Sequence, residues 1–228
     1  MKLPFLPVIA SLVLLFSPQC WAQSTQVINP ADYDHPIRVS CLGDSITMGV
    51  GTQTPATQSY PAQLQQILGS KYLVTNLGVG GRTLLRKADP YSIGAALKSN
   101  PDVIIILLGT NDSRQVTWDK FGNDFVGDYE AIIDTLAKLP THPKIWICTT
   151  TPAFPGRWNI SEDIITAHTI PAIQQVAKDK NLPLIDLHTP MLDQKANFAD
   201  TVHPNPVAAH RIAELVAAAI TGQASPAP

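Results

Sequence analysis

Five short, mainly apolar runs, at residues 37–42, 72–77, 103–108, 144–149 and 183–187, punctuate the chain, and turn-forming residues bound them. Runs of that length bounded by turn residues are the signature of strands buried on both faces. The segments between them show a helical spacing instead. Residues 59–68 carry Leu64, Ile67 and Leu68 behind Ser59, a candidate cap, and stop at Gly69. A short helical stretch is expected at 93–98. The clearest helix spans 125–139, with Tyr129, Ile132, Ile133 and Leu136 on one face. Residues 164–180 are expected to be helical with a kink or break at Pro171, and 207–220 to form the last helix. The stretch 52–58 reads as a polar loop. Strands alternating with helices predict parallel βαβ units, and so an α/β fold. No internal repeat is visible.

Three of the turns that close these strands carry chemistry. The first run leads into Gly43-Asp44-Ser45-Ile46-Thr47-Met48-Gly49, which places a serine at the mouth of a buried strand with the backbone N–H groups of the turn facing whatever binds there. Ser45 is therefore a candidate nucleophile, although Gly-Asp-Ser alone is also ordinary turn chemistry. The third run leads into Gly109-Thr110-Asn111-Asp112, where the Asn111 amide is a candidate oxyanion donor. The second leads into Gly78-Val79-Gly80-Gly81-Arg82-Thr83, and three glycines in four positions permit close backbone approach to a ligand. This segment has neither a Gly-Lys-Ser/Thr ending nor a complete Gly-x-Gly-x-x-Gly, which argues against a nucleotide and favours an oxyanion hole.

Near the C-terminus, Asp200-Thr201-Val202-His203-Pro204-Asn205 sets a carboxylate and an imidazole three residues apart. A serine hydroxyl is a poor nucleophile until a base takes its proton, and His is the side chain that titrates unperturbed near neutral pH. His203 is the candidate base. Asp200 can accept from one ring nitrogen while the other faces the serine, fixing the tautomer and stabilising the imidazolium.

Taken together, Ser45 in Gly-Asp-Ser, a glycine within 76–83, Asn111 in Gly-Thr-Asn-Asp and His203 in Asp-x-x-His-Pro resemble the four ordered blocks of the SGNH (GDSL-type) hydrolases, over about residues 37–220. The resemblance implies a three-layer α/β/α flavodoxin-like fold with a five-stranded parallel sheet. It implies Ser45 as nucleophile, His203 as base and Asp200 as its orienter, with Ser45 N–H, Gly81 N–H and the Asn111 side chain as oxyanion donors. Asn76 and Thr83 align with the family block so as to favour Gly81, with Gly78 and Gly80 as competitors. One departure is mild: Ile46 stands where the family block has Leu. No metal or organic cofactor is implied. The flavodoxin-like strand order sets the strand before Gly109 between those of Cys41 and Cys148, so both cysteines are expected as free buried thiols.

The stretches 54–61 and 81–85 resemble secreted bacterial SGNH enzymes described as sialate or xylan O-acetylesterases. The expected function is thus a secreted serine esterase removing small acyl (acetyl) groups from carbohydrate esters. A lysophospholipase, thioesterase or arylesterase of the same fold is the alternative, and a catalytically silent glycan-binding module a second. Asp44, Arg82, Arg114 and Trp158 are further candidates for substrate contact, Trp158 as a platform for a sugar face, while Asp44 also reads as a turn former. His35, His142, His168, His188 and His210 have no acid at useful spacing and are expected on the surface or in packing roles. Asp186 and His188 point the same way along a strand without making a base dyad.

Composition narrows the setting. The 228-residue chain opens with Lys2, an apolar run at 3–16 and Cys20-Trp21-Ala22, read as a secretory leader cleaved after Ala22. The run is too short to span a bilayer, and Gln19 before Cys20 argues against a lipid anchor. The expected organisation is a leader at 1–22, an N-terminal extension at 23–36, one hydrolase domain at 37–221 and a disordered tail at 222–228, exported to the periplasm or beyond. The formal charge is −2, with no Lys/Arg-rich run, so nothing points to nucleic acid. Cys41 and Cys148 show no metal-ligand spacing. The expected partner is a small-molecule or glycan ester.

Overall fold

The near-continuous apolar runs become the central layer of the molecule. The computed structural model describes residues 26–84, 93–156 and 158–224; the expected leader and residues 225–228 of the expected tail lie outside them. In chain order the regular elements are β1 (Ile37–Gly43), α1 (Ser45–Met48), α2 (Pro55–Gln58), α3 (Tyr60–Leu68), β2 (Tyr72–Gly78), α4 (Gly94–Ser99), β3 (Val103–Leu107), α5 (Gln115–Phe121), α6 (Phe125–Ala137), β4 (Lys144–Cys148), α7 (Glu162–Ile164), α8 (Ile170–Asp179), β5 (Leu184–Ile185) and α9 (Pro206–Thr221). The strands form one parallel sheet in the order β2-β1-β3-β4-β5. This is the flavodoxin-like arrangement expected from the sequence.

Side chains alternate across that sheet and build a core on each face. Val39 and Cys41 of β1, Ile105 and Leu107 of β3 and Trp146 of β4 pack on α3 and α9. Leu42, Ile104, Ile106, Ile145 and Ile147 pack on α4, α6 and α8. Phe125, Tyr129, Ile132, Ile133 and Leu136 make up the buried stripe of α6. Cys41 and Cys148 are buried free thiols with β3 between their strands. The extension before β1 is docked as well, since Ile28 is buried and its N–H donates to Ile220 O at 2.7 Å.

The structure departs from the expected elements where side chains redirect the backbone. Residues 52–58 are not all loop. Pro55 starts α2, and Gln58 Oε1 folds back to accept from the N–H groups of Gln53 (3.0 Å) and Thr54 (2.9 Å). The break expected at Pro171 lies just ahead of it, as a π-helical turn at Ile165–Thr169. Proline has no N–H and its ring crowds the carbonyl four residues back, which the wider turn relieves. The fifth strand is shorter than 183–187. Thr149 Oγ1 takes the N–H of Leu187 (2.8 Å) and Asp186 Oδ1 those of His188 and Thr189, so the chain leaves the sheet after Ile185.

Candidate active site

The first turn after β1 is the floor of the site. Asp44 caps α1, its Oδ1 accepting from Ile46 N–H at 2.9 Å, and Ser45 is the first helical residue. The end of β2 runs directly beneath. A Cβ at Gly78 would lie 2.2 Å from Met48 N, so only glycine allows α1 to sit there. Asn76 stitches the two together: its Nδ2 donates to Thr47 O (2.8 Å) and its Oδ1 accepts from Gly78 N–H (2.9 Å).

His203 arrives from the opposite end of the chain, on the turn leading into α9, which Asn205 caps. His203 Nε2 lies 2.8 Å from Ser45 Oγ, and Nδ1 lies 2.6 Å from Asp200 Oδ2. A carboxylate can only accept, so the ring proton belongs on Nδ1, and Nε2 is left to accept from the serine hydroxyl. Asp200 Oδ1 accepts from the backbone N–H groups of His203 (2.8 Å) and Val202 (3.1 Å). Partial burial pushes the Asp200 carboxyl up, but the His203 N–H, the His203 ring and the Val202 N–H outweigh it, leaving it below the usual range.

The third group comes after β3. Asn111 is buried at the start of a 3-10 turn (Asn111–Ser113), and Arg114 Nη2 donates to its Oδ1 at 2.8 Å. That contact fixes the amide with Nδ2 toward Arg82 O (2.9 Å) and Asp44 Oδ2 (3.5 Å). The glycine-rich turn lies alongside. The N–H of Gly78 is taken by Asn76, that of Val79 by Gly43 O and that of Arg82 by Val79 O. Among the described residues, the N–H groups of Gly80 and Gly81 have no internal acceptor, which removes Gly78 from the competing donors. Gly81 has φ +76°, a conformation that disfavours any side chain. The Asp112 carboxylate accepts from Leu84 N–H (2.9 and 3.1 Å) and ties this turn to β3.

The four residues singled out for substrate contact each meet other groups of the site. Asp44 is fully buried and presents no oxygen to a ligand. Burial raises its carboxyl to about 7, against the Ile46 N–H bond that lowers it and with Asp112 adding to the rise. Arg114 is turned onto Asn111, and Arg82 meets Asn111 through its backbone carbonyl. Trp158 is half-buried; its Nε1 donates to Asp200 Oδ2 at 3.1 Å and its ring stands edge-to-face with His203. Two of the remaining histidines, expected on the surface or in packing roles, pair with acids far off in sequence. His188 is buried against Glu162 Oε1 (2.7 Å), and His35 lies 3.1 Å from Asp102 Oδ2. Glu162 and Asp102 are remote in sequence, which is why spacing did not reveal them, whereas Asp34, 2.8 Å from His35 Nδ1, is its chain neighbour.

A serine, an imidazole and a carboxylate thus stand in hydrogen-bonded series at the C-terminal edge of the parallel sheet, where open α/β sheets bind their ligands. Residues 41–211 match the GDSL-like lipase/acylhydrolase family, and the chain belongs to it. The chain is 43% identical over 214 residues to an acetylxylan esterase of Xylanibacter ruminicola, covering 84% of this chain and 44% of that protein. It therefore spans less than half of that relative's length. Among solved structures, an acetyl xylan esterase is 27% identical with a TM-score of 0.62, over 81% of this chain and all of that one. The lipase/acylhydrolase of Enterococcus faecalis, 22% identical with a TM-score of 0.65 over 84% of this chain and 100% of its own, shares the fold.

Proposed function

We propose that the protein is an exported serine esterase that removes acetyl or similarly small acyl groups from carbohydrate esters. The observation that carries this reading is the unbroken chain from Ser45 Oγ through His203 to Asp200, with both links at hydrogen-bond distance. Ser45 Oγ attacks the ester carbonyl carbon as its proton passes to His203 Nε2, and Asp200 stabilises the imidazolium. The carbonyl oxygen, now an anion, is held by Ser45 N–H, Gly81 N–H and the Asn111 amide. His203 then gives its proton to the departing alcohol as the C–O bond breaks, leaving acyl-Ser45. Water attacks the acyl carbon while His203 takes its proton, the carboxylic acid leaves and Ser45 is restored. Every proton moves through His203 Nε2, so no further group is needed for the chemistry.

The acetyl and carbohydrate parts rest on the two acetylxylan esterases among the relatives, and export rests on the leader read at 1–22. The test is turnover on nitrophenyl esters from acetate to laurate, beside acetate release from acetylated xylan and acetylated sialic acid. Acetate cleaved best, with acetate release from one of the two glycans, is the expected result. Preference for the long chains would overturn the acetyl reading in favour of a lipid-directed acyl hydrolase.

A further inference from the structure

We infer that Trp158 is a positioning residue of this site, holding the Asp200 carboxylate through its indole N–H and confining the His203 ring; this rests on the triad reading above. Asp200 has two oxygens with about four acceptor positions. Oδ1 takes the N–H groups of Val202 and His203, and Oδ2 takes His203 Nδ1 at 2.6 Å and Trp158 Nε1 at 3.1 Å. With all four positions filled, rotation of the carboxylate breaks at least one bond, and the imidazole it orients inherits that fixity. The indole and imidazole rings lie 5.3 Å apart at 88°, so the same side chain limits how far His203 can swing away from Ser45.

The segment that presents Trp158 is built against the Asp200 turn. Phe154 N–H donates to Thr201 O at 2.8 Å, and the Phe154 ring stands 5.4 Å from that of Phe198. A Cβ at Gly156 would fall 2.0 Å from Thr201 Oγ1, so only a glycine lets the chain pass this close. Backbone, ring and indole thus bind the stretch after β4 to the turn before α9. Asp200 is held from a second element as well as from its own turn.

The replacement Trp158→Phe keeps an aromatic ring and removes the N–H. Among the described residues Asp200 is the ionisable group bonded to the His203 ring; Ser45 and Trp158, its other neighbours, are neutral. Without the indole donor the carboxylate draws the ring proton more strongly, and the acid limb of the activity profile moves to higher pH. The expected result is a kcat lower on the order of 10-fold, to the same extent on nitrophenyl acetate and acetylated xylan, with KM little changed. The NMR resonance of the His203 Nδ1 proton should also shift, which is read without turnover and at a temperature where the variant is folded. A kcat and acid limb equal to wild type would overturn the assignment. So would a defect confined to KM on acetylated xylan, the mark of a sugar platform. A Ser45→Ala enzyme that still turned over would instead overturn the triad reading beneath it.

Discussion

His203 Nε2 meets Ser45 Oγ at 2.8 Å across 158 positions of sequence, which joins the turn after the first strand to the turn before the last helix. The contact exists because β1 is an inner strand of the sheet and α9 packs in the core on its face, bringing both turns to one edge. The reaction therefore depends on the closing of the whole domain, and local changes that leave the domain folded should separate chemistry from stability.

Asn111→Ala is the cleanest such change. Removing one donor from an oxyanion hole lowers kcat by roughly 100- to 1000-fold. The amide also bonds Arg82 O and Arg114, so some stability goes with it. Kinetics on nitrophenyl acetate, with a melt to show that the variant folds, should give a loss of that size. An unchanged kcat would remove Asn111 from the mechanism.

Asp44 makes the stability dependent on pH. Its folded carboxyl stays protonated up to about 7, whereas an unfolded aspartate ionises near 3.9. Between those values the folded state holds more protons, so stability falls as pH rises and levels off above about 7. Asn at position 44 does not titrate. The unfolding free energy of Asp44→Asn relative to wild type, from denaturant titrations at each pH, should thus be more favourable at pH 8 than at pH 5, by on the order of 2 kcal/mol. An equal difference at both pH values would contradict the protonated carboxyl.

Thr201, in the Asp200–His203 turn, holds φ +77°, which is costly for a β-branched residue, and its buried Oγ1 has no partner among the described residues. Thr201→Gly removes the strain and the orphaned hydroxyl at the cost of a more flexible unfolded chain. The net expectation is a gain of about 1 kcal/mol with kcat within about twofold of wild type. A lower melting temperature would show that the contact between Thr201 and Gly156 outweighs the strain.

Cys41 and Cys148 should resist thiol reagents while the protein is folded. Burial pushes the Cys41 thiol up to about 12 and Cys148 higher still. With the leader removed, a disulfide-exchange reagent should label neither in buffer and both in denaturant. Labelling in buffer, or none in denaturant, would contradict two buried free thiols.

The parts of this fold that were legible in the sequence are those in which one local pattern decides the outcome. Strands β1, β3 and β4 are apolar runs buried on both faces, and α6 carries a stripe of helical period, so both were readable within a few residues. Ser45, Asn111, Asp200 and His203 were legible because each sits in a turn whose residue types serve that chemistry. What escaped depends on side chains remote from the segment they shape. Strand β5 stops early because Thr149, on the loop beyond β4, takes its next N–H. Helix α5 went unread because its apolar residues are not confined to one face: Val116 is exposed, while Trp118 and Phe121 are half-buried. Trp158 reads as a loop tryptophan until Asp200, 42 positions away, is placed against it. The depth of Asp44 depends in the same way on strands and turns far from it in sequence.

The central claim is that Ser45 is the nucleophile, and hydrolysis of nitrophenyl acetate by wild type and Ser45→Ala tests it most directly. Wild type should turn over with a burst or steady release of nitrophenol, while Ser45→Ala, folded with an unchanged melting curve to within a few degrees, should fall by at least about 1000-fold in kcat. Comparable turnover by the two proteins would contradict the account.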